Sequence, residues 1–414
     1  MGTPYFTKTS PLGGEIKRRI EDFQVEEIIE NGTVCSIEQL NQNPPPRITM
    51  DVPTNPNPIK MDQLHVRMEK FNVETTFAIR MLTRGISTSV KRIGYAGLKD
   101  KRGVTCQRIS LWKPDVEKLK RFSVRGIAFH HAEWSDKRID LGDLRGNKFT
   151  IVIRNIDLPE EEIREIIQEF GRELVQGIPN YYGEQRFGGF RNVTHVVGKL
   201  LLEGKIEEAV ITYLGKASEG EEEEIARERK NVFETRDFGR ALKEFPDKMH
   251  FEKAMLNHLV REPADFAGAF QQLPKKTRYL FTHAYQSHVF NQIIAARVAR
   301  GLFYPMEGDI LEKGIPTALL PGSEAKKAKG IPGEIEEEIL KKEGVDARFF
   351  TNQKLGELSS WGARKPIVLH VHDFRLEKIE DDAFFEGKKC AKVSFWLDKG
   401  AYATTVMREL MKEK

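Results

Sequence analysis

The chain has 414 residues, more than one hydrophobic core ordinarily fills, so two domains are expected. Hydrophobic residues make up 39% and charged residues 31%, which excludes a disordered chain, and no stretch approaches the roughly 18 consecutive apolar residues of a membrane span. The net charge of +4 is small for this size and by itself announces no polyanionic partner.

In chain order, EDFQVEEIIE carries Phe23, Val25 and Ile28 as a strand that then loses its alternation, which predicts an edge element. Residues 41–58, NQNPPPRITMDVPTNPNP, hold six prolines and predict a loop or insert, because proline neither donates to a ladder nor continues a helix. LHVRMEKF alternates as a strand, and VETTFAIRMLTRGIS then carries apolar residues at helical spacing up to Gly85. A helical turn over 89–93, the loop GYAGLKDKRG and the strand VTCQRISLW follow. Strands are predicted again at IAFHHAEW and KFTIVIRNI, then a capped amphipathic helix in LPEEEIREIIQEFGREL. From about Ile178 the segments KIEEAVITYL, RALKEF, FEKAMLNHLV, TRYLFTHAYQSHVFNQIIAARVAR and GEIEEEILKKEG predict a helical block. Alternation returns in IVLHVHDFRL and in AKVSFWLDKGAYATTVMREL, which reads as strand, turn and final helix. The class is α+β, with the helical block inserted into a domain built from both ends of the chain.

Cys35, Cys106 and Cys390 lie far apart and form no pair at disulfide-framework or zinc-ribbon spacing, and the N-terminal segment carries no apolar run of signal-peptide length. A reducing, cytoplasmic setting is expected. Charge is sorted along the chain: residues 91–108 carry six Lys or Arg against one Asp, while Glu219 and the run 221–224 form an acidic block. The lone acid in the basic stretch, Asp100, stands between Lys99, Lys101 and Arg102 in a glycine-punctuated turn before a strand. Nearby cations favour an ionised carboxylate, and such a carboxylate is able to act as a nucleophile. The same spacing is met, more commonly, by an Asp capping a turn on a basic surface loop.

GLKDK followed by VTCQ resembles the signature around the nucleophilic Asp of TruD-type tRNA pseudouridine synthases. KRRIEDFQVEE, LRGNKFTIVIR, PNYYGEQRFGG, TALLPGS and SFWLDKGAYATTVMREL stand in that family's order. The resemblance runs from about residue 14 to the C-terminus, and the length and the 41–58 insert are similar to the archaeal and eukaryotic branch. It implies a catalytic domain with a mixed, mainly antiparallel sheet, made of 1–177 and 362–414, around a largely helical α+β insertion domain of 178–361. It also implies isomerisation of uridine, preferentially uridine 13 in the D arm of tRNA, to pseudouridine. Product and substrate are isomers, so neither cofactor nor metal is called for. Asp100 falls on the family's catalytic Asp and Lys99 on its partner in the KD pair. Asn147 and Phe149 fall on the GNxF motif, whose Phe stacks on the target base; Lys17 matches the basic residue before EDF, and Arg408 the Arg of the terminal RE pair. Ile20 stands where the family commonly has proline, which loosens a turn and removes no reactive group. The implied partner is a tRNA, with no membrane and no obligate protein partner.

Each of these residues has a plainer reading. Phe149 shares a strand face with Ile151 and Ile153 and would serve as core. YYGEQRFGGFR interleaves Tyr181, Tyr182, Phe187 and Phe190 with Arg186 and Arg191, which suits phosphate contact and base stacking and equally suits a packed glycine-rich hinge. Lys101, Arg102, Arg186 and Arg191 are the expected RNA-phosphate contacts. His130 with His131, His283 with His288, and His370 with His372 show no recognised zinc spacing, and no Walker or dinucleotide glycine loop is present. Two other functions are weighed against the isomerase: a non-catalytic RNA-binding protein or RNA chaperone on the same scaffold, and a metal-dependent nuclease using acids such as Glu26 with Glu27.

Overall fold

In the computed structural model, which describes residues 4–41, 45–46, 48–351 and 356–412, eight strands from both ends of the chain form one sheet. They are β1 (Phe23–Ile28), β2 (Gln63–Phe71), β3 (Ile93–Tyr95), β4 (Val104–Trp112), β5 (Ile127–Ser135), β6 (Gly146–Ile156), β7 (Val371–Asp381) and β8 (Lys389–Asp398). Their order is β7-β8-β6-β1-β4-β2-β5, with β3 against β4. Among the described residues only the β1–β4 pair of this sheet is parallel. The class is α+β with a mainly antiparallel sheet. The chain divides into two compact units, Thr7–Ile178 with Leu369–Lys414, and Pro179–Val368 with Met1–Phe6.

The expectation that EDFQVEEII forms an edge element is corrected, because β1 lies between β6 and β4 in mid-sheet. The sequence looks too polar for that position, yet both acids are neutralised in place. Glu27 is wholly buried against the Lys99 ammonium, and Glu26 pairs with Lys148 at 3.1 Å. A buried charge needs a partner, and here each strand glutamate has one from a neighbouring segment. The helix over Thr75–Gly85 covers β2, β4 and β5 through Ala78, Ile79 and Leu82, all buried with Val66, Met68 and Ile109. The helix Glu160–Glu173 begins at Pro159 without the expected side-chain cap. Glu160, Glu161 and Glu162 in its first turn complement the helix dipole instead.

The second unit is built on the 25-residue helix Lys275–Ala299, whose Phe281, Tyr285, Phe290 and Ile294 are buried. Helix Thr194–Leu202 packs against it through Gly198, where an added Cβ would sit 2.1 Å from the Phe281 carbonyl oxygen, so only glycine allows this approach. A three-stranded sheet, Ala363–Pro366, Ile315–Leu320 and Leu311–Glu312, completes the unit. No helix among the described residues is long and apolar enough to cross a membrane.

Candidate active site

One face of the sheet gathers chemistry that the chain order scatters. Cross-strand partners share a face, and the pairs Val25 with Phe149, Glu27 with Asn147, Val25 with Thr105 and Lys70 with Thr105 place these residues together. Glu27, Lys70 and Thr105 are fully buried, and Phe149 is 5% exposed. The loop joining β3 to β4 passes over this face and carries Lys99 and Asp100.

Three contacts shape that loop. Gln107 on β4 donates its Nε2 hydrogen to the Gly97 carbonyl at 2.9 Å, and its Oε1 accepts the Thr75 hydroxyl at 3.1 Å. The same hydroxyl oxygen accepts the Lys99 N–H at 3.2 Å. Where the loop enters β4, Gly103 approaches the Phe23 carbonyl so closely that a Cβ would lie 2.5 Å from its oxygen. The result is an Asp100 side chain held at the surface, 38% exposed, while its neighbour Lys99 turns inward.

The cation beside Asp100 is therefore not Lys99. Lys99 Nζ donates to Glu27 Oε2 at 2.6 Å with its side chain 4% exposed, and Glu27 Oε1 accepts the Arg108 N–H at 3.1 Å. Lys17 supplies the charge instead: its Nζ lies 3.7 Å from Asp100 Oδ1 and 3.9 Å from the centre of the Phe23 ring. Lys17 adopts φ 59°, a left-handed backbone that costs energy for a residue with a side chain. Arg102 helps to hold it there. Its Nε donates to the Lys17 carbonyl at 2.9 Å and its Nη2 to the Arg18 carbonyl at 3.3 Å, so Arg102 tethers the two segments.

Sequence reading missed Lys70. Its ammonium donates to the Val73 carbonyl at 3.0 Å. Burial first, and then the Lys99 ammonium, push it down to about 8, against an opposing pull from Asp100. With a folded-state value of about 8 and 10.5 in water, both states are protonated below pH 8 and folding carries the full cost of burying the charge. Between pH 8 and 10.5 the folded state releases its proton first, so the stability from this group rises with pH. Lys70→Met is expected to flatten that rise and to raise stability near pH 7 by at most about 3 kcal/mol, offset by the lost hydrogen bond to the Val73 carbonyl, read as the difference in urea midpoints across the pH range. An unchanged difference at all pH values would contradict it.

Asn147 reaches the face with its buried Oδ1 lacking a hydrogen-bond partner among the described residues, as does Thr105 Oγ1. Phe149 is fixed from two sides, by Phe395 with ring centres 5.6 Å apart and by Phe23 at 6.2 Å. Arg408, on the C-terminal helix Ala403–Met411, pairs with Glu409 at 3.1 Å. Lys101 is exposed.

The YYGEQRFGG segment belongs to the other unit. Tyr182 lies between two cations, Lys365 Nζ at 4.2 Å from its ring centre and the Arg186 guanidinium at 5.2 Å, and Arg186 Nε donates to Ser287 Oγ at 2.9 Å. Burial, with Arg186 adding to it, pushes the Lys365 ammonium down to about 7. Arg191 corrects an expectation. Its side chain is 12% exposed and donates to the carbonyls of Tyr213 at 2.8 Å and Lys216 at 3.1 Å, which leaves it no reach for a phosphate.

The family model described as tRNA pseudouridine synthase D (TruD) matches residues 2–314 and 312–410. The chain belongs to the tRNA pseudouridine synthase D family. A Methanococcoides burtonii protein carrying that name is 36% identical over 447 residues, covering 99% of this chain and 95% of its own length. A Methanopyrus kandleri protein of the same name is 38% identical over 348 residues, covering 83% and 84%. A crystal structure named for tRNA pseudouridine synthase D of Methanosarcina mazei superposes with a TM-score of 0.78 at 34% identity, covering 99% of this chain and 96% of that one. In this family member Lys99 pairs with Glu27 away from the surface, and the partner of Asp100 comes from the KRRIEDF segment.

Proposed function

We propose that this member of the tRNA pseudouridine synthase D family converts uridine 13 in the D arm of tRNA to pseudouridine, with Asp100 acting at C1′. The observation that carries the reading is the half-exposed Asp100 carboxylate, paired with Lys17 and set above a face where polar atoms of Asn147 and Thr105 have no hydrogen-bond partner among the described residues. A carboxylate beside C1′ either attacks the sugar carbon or stabilises the positive charge that develops there as the N1–C1′ bond breaks. The base then turns, C5 bonds to C1′, the C5 proton leaves and N1 gains a proton, so substrate and product balance without any added reagent. Lys17 orients the carboxylate, and Asn147 supports the same face beside it.

The base must leave its stack to be reached, at a cost of a few kcal/mol that stacking on an aromatic ring offsets. Phe149 is the ring for this role, packed against Phe395 and Phe23 on the face that Asp100 overlies. Phe149→Leu retains apolar bulk without the ring. It is expected to fold at a cost below about 1.5 kcal/mol and to lose about 1–3 kcal/mol of hold on the base in single-turnover rate. A wild-type rate in this variant would reduce Phe149 to core packing.

Release of tritium from tRNA labelled at C5 of uridine tests the reaction. Isomerisation releases the label with the RNA intact and without added metal; chain cleavage would indicate a nuclease, and binding without release a chaperone. Lys101 and Arg102 are exposed and are taken as phosphate contacts, so Lys101→Ala is expected to lower the slope of log K against log salt by about 1. Arg191→Ala is expected to leave that slope unchanged while lowering stability, which filter binding and urea titration together decide.

A further inference from the structure

On the sheet face opposite Asp100, we infer that Glu38, His130 and His131 form a binding site for a divalent transition-metal ion such as Zn²⁺. Consecutive residues of a regular strand point to opposite faces. Here the pairing of β2 with β5 shifts between His65 and Arg67, so that His131 and Ala132 together oppose Val66, and His131 adopts φ 51°. This bulge turns both imidazoles to one side, with ring centres 4.8 Å apart. Bulges re-aim side chains in this way and are common beside functional sites.

Glu38 lies across from the two rings. His131 Nε2 is 2.9 Å from Glu38 Oε1, and His130 Nδ1 is 3.6 Å from Glu38 Oε2. One nitrogen from each imidazole and one carboxylate oxygen all lie within 4.8 Å of one another, a spacing that small side-chain rotations close around an ion with bonds of roughly 2.0–2.2 Å.

The His130 ring fixes the argument. It is 7% exposed, and its Nε2 lies 2.8 Å from Glu69 Oε1. The Glu69 carboxylate also accepts the N–H groups of Glu38 at 2.6 Å, Leu40 at 2.9 Å and Gln39 at 3.0 Å, so it is an acceptor and His130 Nε2 carries the hydrogen. Nδ1 faces Glu38 Oε2, and this buried nitrogen has no hydrogen-bond partner among the described residues. A metal ion between the nitrogen and the carboxylate gives both a ligand role. A carboxylate on the far nitrogen of a metal-bound histidine is the usual orienting partner, and Glu69 occupies that place. Cys106 Sγ, 3.8 Å from His130 Nε2, faces the Glu69 side of the ring. Arg67 Nη1, 3.8 Å from Glu38 Oε1, is the competing cation and keeps the affinity moderate.

The test is calorimetric titration of the chelator-treated full chain with Zn²⁺ alone. One equivalent is expected to bind. His131→Asn, at an exposed position and with a residue that accepts a left-handed backbone, and Glu38→Gln should each weaken binding by more than about tenfold. Arg67→Gln should tighten it, an effect that a merely structural role for the cluster would not produce. Absence of Zn²⁺ uptake, or equal affinity in wild type, His131→Asn and Glu38→Gln, would overturn the proposal. Asp100→Asn is expected to bind Zn²⁺ as wild type does, so this site and the proposed reaction stand or fall separately.

Discussion

Glu27→Gln is expected to lower the stability of the catalytic-face unit by about 3–5 kcal/mol, among the largest effects available to a single substitution in this chain. Glu27 is wholly buried and Lys99 nearly so, with 2.6 Å between Nζ and Oε2. The amide preserves an acceptor for the Arg108 N–H. It leaves the Lys99 ammonium buried without a counter-charge, and that unpaired charge is the source of the cost. Lys99→Met should cost a similar amount by stranding Glu27. The double substitution should cost clearly less than the sum, because it removes both charges together, and the coupling read from a double-mutant cycle in urea is the check. Additive single effects below about 1 kcal/mol each would show that the pair is hydrated and not part of the core. Since the Lys99 backbone carries Asp100, either single change is also expected to lower activity by loosening the loop.

That pair shows where sequence reading stops. Alternation placed β2, β4, β5 and β6 correctly, and helical spacing placed the helices over Thr75–Gly85 and Lys275–Ala299. These signals are local, with period 2 or 3.6, and need only a short window. β1 was misplaced at an edge because Glu26 and Glu27 lower its apparent hydrophobicity, while the lysines that neutralise them lie on distant segments. Asp100, Asn147 and Phe149 were singled out through their motifs, and their roles are proposals. The electrostatics around Asp100 were not legible: adjacency in sequence pointed to Lys99, whereas the fold turns Lys99 inward and brings Lys17 alongside. Thr75, Lys70 and Gln107 look like ordinary polar residues in a helix start and two strands, and only the register shows that they face the loop. Arg191 failed for a related reason, since composition cannot tell a guanidinium that meets solvent from one that satisfies buried carbonyls. The same limit hid the His130–His131 bulge, which depends on a register shift against β2.

The reading as a whole rests on what the Asp100 side chain does. Asparagine has nearly the same shape and carries no anion, so it can neither attack C1′ nor stabilise charge there. Asp100 is 38% exposed and its ion pair with Lys17 spans 3.7 Å, so the loss of charge should change folding by no more than about 1 kcal/mol. An interaction worth about 4 kcal/mol in the transition state corresponds to roughly a thousandfold in rate. The most direct measurement is single-turnover tritium release from C5-labelled tRNA with saturating enzyme, wild type against Asp100→Asn, since slow product release cannot then mask the chemical step. The expected result is tRNA affinity close to wild type with release slowed at least about a thousandfold. Pseudouridine formation by Asp100→Asn within about tenfold of wild type would contradict the assignment of Asp100 as the reacting group.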